Sequence, residues 1–225
     1  MLNKTDDFKP ARLLSHHHAQ TLLASIGPRR WFVKRRARVF LAQSQYNIIP
    51  CQDGIKLSGF YTPACKQGMQ KADSSLVILL HGWEGCADSS YLLSAGARLH
   101  DDGHSVFRLN FRDHGDSHLL NRGIFNSVRI KEVLDALDWI VDNFSHHRVY
   151  LAGFSLGGNF ALRIASYAKQ RGLPIDRFAG ICPLINPLQT TADIETGLWI
   201  YHYYFLKRWK ASLHKKNNAF SEYNF

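Results

Sequence analysis

Gly153-x-Ser155-x-Gly157 is the arrangement in this chain with the clearest chemical use. Where a strand gives way to a helix, such a serine sits on a turn sharp enough to lift its hydroxyl out of the sheet. Small residues at 153, 157 and 158 let neighbouring backbone approach closely. The first turn of the following helix then presents N–H groups without intrahelical partners, together with the positive end of the dipole. Both lie where negative charge would collect on a carbonyl oxygen under attack. The chemistry would be nucleophilic acyl transfer through Ser155. A tight packing turn with no reaction is the other use of the same motif.

A serine nucleophile of this kind needs two oxyanion donors. One is the amide of the next residue, Leu156. The other comes from the loop after an earlier buried strand, and here His81-Gly82-Trp83-Glu84-Gly85 supplies it, with Trp83 as the donor. Losing one such donor typically costs about 10²–10³ in turnover. His81 reads as a brace for this loop and not as a base. Two further clusters carry ligand-type side chains, Asp113-His114-Gly115-Asp116-Ser117-His118 and His16-His17-His18. Packing and loop bracing account for both more simply than a metal does. Neither a metal nor a cofactor is expected.

To hold these groups the chain must alternate strands and helices. Residues 39–50 and 55–61 read as two strands joined through Asp53-Gly54, a hairpin signal. Leu76 to Leu80 is all apolar, as in a parallel strand buried on both faces. A helix over 91–100 follows, with Asp88 or Ser89 as its cap and Gly103 beyond its end. Next come a strand at 106–111, an amphipathic helix at 128–143, a strand at 149–152 leading into the serine turn and its helix, and a strand at 178–184. Beyond Pro187 the pattern changes. Tyr201, Phe205, Trp209 and Leu213 recur every four residues, so 198–213 reads as one helix with an aromatic stripe and cations crowding its last turns. The alternation predicts an α/β protein with a mostly parallel sheet, helices on both faces and an N-terminal antiparallel hairpin.

Composition narrows the class. With 225 residues, 45% of them hydrophobic and 20% charged, the chain suits one globular core and a small addition. No apolar run approaches the roughly 20 residues that span a bilayer, and the acid-bearing N-terminus lacks the apolar stretch of a signal peptide. Cys51, Cys65, Cys86 and Cys182 show no paired spacing, which suits free thiols and a cytoplasmic location. The formal charge of +10 is concentrated in Arg29-Arg30-Trp31-Phe32-Val33-Lys34-Arg35-Arg36 and Lys207-Arg208-Trp209-Lys210. Basic residues interleaved with aromatics could favour anionic lipid or nucleic acid, although solvated faces explain them more plainly. No nucleic-acid motif accompanies them, so no nucleic-acid partner is expected.

Several of these motifs together resemble the YheT-like group of α/β-hydrolases. They are Phe8-Lys9-Pro10, His18-Ala19-Gln20-Thr21-Leu22, His81-Gly82-Trp83-Glu84-Gly85, and Gly153-Phe154-Ser155-Leu156-Gly157-Gly158-Asn159, the last being the most specific. Arg112 to Ser117 also matches the Arg-x-His-Gly-x-Ser pattern these hydrolases often carry after a strand. The resemblance implies an α/β-hydrolase fold and hydrolysis of a small or lipid-like ester, of carboxylesterase or acylglycerol-lipase type. It further implies a Ser–Asp–His triad in that chain order, its acid and histidine on two strands later than any read here. The candidates after Ser155 are Asp176, Asp193, Glu195, Glu222, His202 and His214, and none of them follows a strand. The expectation is a core lacking its last strands and the triad Asp and His, with a separately encoded C-terminal remainder as partner. A triad rebuilt from Asp193 and His202, and a binding module without turnover, are the alternatives. The expected layout is an N-terminal extension over 1–38, an incomplete hydrolase core over 39–186 and a cap-like helical segment over 187–225.

Overall fold

The structure, a computed structural model, describes residues 9–12, 15–16, 18–21, 29–64 and 74–223. Its centre is the strand β3, Leu76–Leu80, in which all five apolar residues are buried. Leu76, Ile78 and Leu80 point to one face of the sheet, and Val77 and Leu79 to the other. Strands alternate their side chains, so a run apolar at every position satisfies two covered faces at once. The first face is covered by helices α4, Ile130–Asn143, and α5, Leu156–Arg171, through Val133, Leu137, Ile140, Phe160 and Ile164. The second is covered by α3, Ser90–Asp101, through Leu92 and Leu93, and by Phe40.

Five more strands flank it: β1, Gln45–Pro50; β2, Lys56–Thr62; β4, Ser105–Asn110; β5, Val149–Phe154; and β6, Arg177–Ile181. Their spatial order is β1-β2-β4-β3-β5-β6. β1 and β2 are antiparallel, as are β2 and β4, while the β4–β3, β3–β5 and β5–β6 pairs are parallel. The predicted hairpin turns where Asp53 and Gly54 both take positive φ, at 57° and 72°, the conformation for which Asp-Gly is suited. In the parallel pairing Leu80 stands beside Gly153. The loop after β3 and the serine turn after β5 therefore leave the sheet together.

Three elements differ from the sequence-based expectation. The strand expected from residue 39 begins only at Gln45, because Arg38–Ala42 is a short helix, α2, preceded by the helix α1 over Arg29–Arg36. Ala37 and Phe40 are buried and Val33 and Leu41 pack on the same cluster, a helical spacing and not an alternating one. The strand expected over 178–184 ends at Ile181, since Cys182 takes φ 46° and Pro183 follows. After α6, Pro187–Thr196, the last helix α7 runs over Trp199–Ala219, six residues beyond the expected end. Of the residues quoted for the resemblance, Phe8 and Leu22 lie outside the described residues, as do His17 and Cys65.

Candidate active site

Ser155 occupies the junction between β5 and α5 with φ 52° and ψ −114°, a conformation that costs a non-glycine residue on the order of 1–3 kcal/mol. Its neighbours hold it there. The Ser155 N–H donates to the Ile181 carbonyl at 2.9 Å, and the Ser155 carbonyl accepts from the N–H groups of Asn159 and Leu184, at 3.0 and 3.1 Å. The Asn159 side-chain amide also donates to the Leu184 carbonyl at 2.8 Å, pinning the loop after β6 to the turn. The Ser155 residue itself is exposed. Strain at this position therefore presents the side chain to solvent, as the motif predicts.

The turn closes against backbone on both sides. A Cβ on Gly157 would lie 2.5 Å from the carbonyl oxygens of both Leu80 and His81. One on Gly82 would lie 3.3 Å from the Ser155 Cβ, so the loop after β3 runs directly beside the serine. Trp83 and Glu84 form the bend of that loop, which the Gly85 N–H closes by donating to the Gly82 carbonyl at 2.9 Å. Leu156, Gly157 and Gly158 open the helix, where N–H groups have no carbonyl one turn behind them.

Two buried histidines and a tyrosine set the shape of the loop. His81 Nε2 accepts from the Phe111 N–H at 3.1 Å, so its proton sits on Nδ1, which donates to the Gly82 carbonyl at 2.7 Å. His114 repeats the pattern: Nε2 accepts from the Glu84 N–H at 3.2 Å and Nδ1 donates to the Arg112 carbonyl at 2.7 Å. Burial holds His81 well below the ordinary imidazole range, and the nearby His114 adds to this. Burial likewise pushes His114 down to about 4. Both rings are neutral struts near neutral pH, as expected for His81. Tyr91, the first residue of the helix expected over 91–100, accepts from the Gly82 N–H at 2.9 Å. Its place two residues after Ser89 at the start of α3 was the available signal. Ser89 sits at the cap position, but its hydroxyl accepts from the Cys86 N–H instead of a helix N–H.

The Asp113 cluster is likewise committed to holding the fold. Asp113 accepts from the Phe125 N–H at 2.9 Å and from Lys216 Nζ at 2.9 Å, and Ser117 donates to the His114 carbonyl at 2.8 Å. His118 Nε2 pairs with the Ser212 hydroxyl at 3.0 Å. Arg112 forms a buried ion pair with Glu132 at 2.5 Å. Asp113, His114 and Ser117 thus brace the loop and His118 ties it to the last helix, while Asp116 is exposed. Lys216, one of the cations that crowd the last turns of the final helix, is 1% exposed, and it donates also to the carbonyls of His118 and Asn121.

Helix α7 lies across this surface. Phe205 stacks on Trp83 with centroids 5.2 Å apart and planes 9° from parallel, and Arg208 Nε donates to the Glu84 carbonyl at 3.0 Å. Two cavities result on either side of Trp83, Glu84 and Leu184. The larger, about 510 Å³, contains Ser155 and is bordered by Phe205, Tyr204 and Arg208. The smaller, about 260 Å³, is lined by Leu156, Phe125, Trp209 and Leu213. Ser155, Trp83 and Leu156, the three predicted site residues, are thus brought together, and the aromatic stripe borders both spaces.

The candidate acids and bases are not. Asp176 accepts from the Val149 N–H at 2.9 Å, at the opposite end of β5 from Ser155. Asp193 accepts from Gln189 on α6, Glu222 pairs with Arg122, and Glu195, His202 and His214 are exposed. Neither Asp193 nor His202 borders the Ser155 cavity. Among the described residues no histidine borders that cavity; its carboxylic acids are Glu84 and Asp88.

Burial pushes the Glu84 carboxyl up to about 7, opposed by the Arg208 charge and reinforced by that of Asp113. The folded chain keeps a proton that the unfolded chain releases near pH 4.5, so this group's contribution is complete below that value. It is lost as pH rises through about 7. Glu84→Gln is expected to remove the decline. Its melting temperature relative to the parent should rise between about pH 5 and about pH 8, and a difference constant across that interval would refute the assignment.

The sheet order, the strained serine and the loop that faces it define the class. The chain belongs to the α/β-hydrolase family, whose model, described as the alpha/beta hydrolase fold, matches residues 75–224. It is similar over 218 residues, 95% of its length, to the provisionally designated esterase YheT of Escherichia coli (strain K12), with 26% identity. It is also 26% identical over 138 residues, 61% of this chain and 30% of the other, to the embryogenesis-associated protein EMB8 of Picea glauca. Among solved structures, the Pyrococcus furiosus esterase Pf2001 superposes with a TM-score of 0.54 and 25% identity, over 71% of this chain and 61% of its own. Esterase Est22 shares the fold at a TM-score of 0.54 and 18% identity, over 77% of this chain and 54% of its own. The chain spans 59% of the length of YheT.

Proposed function

We propose that this chain carries the nucleophile half of a carboxylic-ester hydrolase, acting through an acyl-enzyme on Ser155. The observation that carries the reading is the exposed serine at φ 52° beside the Gly82–Gly85 turn and the start of α5. In the proposed reaction the Ser155 oxygen attacks the acyl carbonyl carbon and passes its proton to a general base, the histidine of a separately supplied segment, which then protonates the departing alcohol. The carbonyl oxygen takes up negative charge, stabilised by the amides of Trp83 and Leu156. Collapse of this intermediate expels the alcohol with a proton, and water then releases the acid and restores the hydroxyl. The smaller cavity, walled on one side by Leu156, Phe125, Trp209 and Leu213, suits the acyl chain, and the larger suits the alcohol portion of a small or lipid-like ester. In this reading α6 and α7 act as a cap on the core. The free thiols of Cys51, Cys86 and Cys182 fit a reducing, cytoplasmic setting.

A second reading rests on a separate observation. Serine is a weak nucleophile without a base, and no histidine among the described residues borders its cavity. The chain by itself would then bind ester-like molecules with only the roughly 10³–10⁴-fold assistance that an oxyanion hole and binding supply. A separately supplied segment bearing the acid and histidine would restore turnover. A fluorophosphonate probe distinguishes the readings, with release from p-nitrophenyl esters as the turnover assay. Covalent labelling of the folded chain that disappears in Ser155→Ala supports the hydrolase. Absence of labelling in a chain with an intact cooperative melt supports the binding module.

A further inference from the structure

The two basic aromatic segments, far apart in sequence, border one cavity. Arg30 of α1 and Tyr204 and Arg208 of α7 border the same cavity as Ser155. Neither helix contains an acidic residue. On α1, Arg29, Arg30, Lys34, Arg35 and Arg36 are all exposed, and on α7 so are Lys207, Arg208 and Lys210.

Large apolar groups are exposed on both helices. Trp31 is 58% exposed and Trp199 74%, and Tyr203 and Trp209 are also exposed. Aliphatic side chains are exposed on α6 and at its two ends, with Leu188 at 86% exposure and Ile185 and Leu198 also exposed. Cations sit over three of the rings: Arg35 over Trp31 at 5.4 Å, Lys207 over Tyr203 at 5.8 Å and Arg208 over Tyr204 at 5.6 Å. Such pairs keep the cation hydrated at its tip while the ring stays available to an apolar medium.

We propose that this face docks on an anionic lipid bilayer, with Trp31, Trp199 and Tyr203 in the headgroup layer and the cations of α1 and α7 on lipid phosphates. Charge complementarity selects the partner, because a chain of formal charge +10 concentrates acid-free helices there. The aliphatic residues separate a bilayer from a nucleic acid. Ile185, Leu188 and Leu198 gain burial among acyl chains, whereas a phosphate backbone offers them nothing. Among the described residues no helix is long and apolar enough to cross a membrane, so the contact is one of lying on the surface. The docking does not depend on turnover at Ser155.

Vesicle co-sedimentation of the full chain tests this directly. Vesicles of phosphatidylcholine with one quarter phosphatidylglycerol should bind it at least about tenfold more tightly than pure phosphatidylcholine. Raising salt from about 0.1 M to about 0.5 M should remove most of that difference. Lys207→Glu with Lys210→Glu should abolish the preference for anionic lipid. Trp199→Ser with Leu188→Ser should weaken binding at fixed charge, each variant keeping the parent melting temperature because the altered side chains are exposed. Equal binding to neutral vesicles, or no binding at all, overturns the proposal. So does a single-stranded oligonucleotide that displaces the vesicles while Leu188→Ser has no effect. Self-association abolished by Trp199→Ser, without vesicle binding, gives the face to a second copy and overturns it too.

Discussion

Gly157→Ala is expected to lose both the serine turn and much of the chain's stability. The added methyl would stand 2.5 Å from the carbonyl oxygens of Leu80 and His81, and both obstacles are backbone. No rotamer change relieves such a contact, so either β3 or the start of α5 must move. Overpacked interiors usually cost about 1–3 kcal/mol, and a clash of backbone on two sides belongs at or above the top of that range. Against a total of roughly 5–15 kcal/mol for a folded domain, the loss should be plain in a urea melt. The same displacement carries the Leu156 amide away from the Gly82–Gly85 turn. Fluorophosphonate labelling, where the parent shows it, should therefore fall further than the folded fraction does. Gly157→Ala with the parent midpoint and parent labelling would show that the turn is looser than this packing implies. Gly153 is subject to the same constraint, since a Cβ there would overlap the backbone of Gly157 and Gly158.

The second large effect is at Lys216. Its ammonium and the Asp113 carboxylate pair at 2.9 Å with side chains 1% and 6% exposed. Removing one member of such a pair strands the other charge out of water, at a cost of about 3–5 kcal/mol. Lys216→Ala should lower stability by that amount, observed as a shift in urea midpoint with little change in slope. Replacing both charges is the control. Asp113→Asn with Lys216→Met keeps an oxygen for the Phe125 N–H and a long apolar stem in the buried slot. Asparagine also tolerates the positive φ of 57° at this position. The double variant should recover most of the loss, a coupling that a double-mutant cycle reads directly. A single variant within about 1 kcal/mol of the parent would mean that water reaches the pair. Lys216 also anchors α7, the helix that lays Phe205 on Trp83. Its loss is felt at the candidate site as well as in the melt.

The alternation of strand and helix was legible because its signals are local. Leu76 to Leu80 announces a two-faced strand by being apolar throughout, and Asp53-Gly54 announces its turn by tolerating positive φ. The stretch at 38–44 misled because Val39 and Phe40 are β-formers. What decides their state is that Phe40 must enter the cluster with Leu92 and Val106, and Arg108 lies over its ring at 5.0 Å. Arg108 is itself fully buried between Phe40 and Phe60 and donates to the Ala87 carbonyl at 2.7 Å. A charged strand residue serving as the link between an N-terminal helix and the site loop leaves no mark on sequence periodicity.

Taken alone, the sequence determined the serine turn and the strands on either side of it. Glycine spacing and apolar runs act within a few residues, where backbone sterics leave few choices. Tertiary structure alone decided which polar side chains were committed to holding the site's walls. Tyr91, His114 and Lys216 find partners 9, 30 and 103 residues away, across gaps that only the packed sheet and helices close. It also left Asp193 and His202 out of the lining of the Ser155 cavity. A buried charge or hydrogen bond is set by what the fold brings within about 3 Å, and no local pattern encodes that.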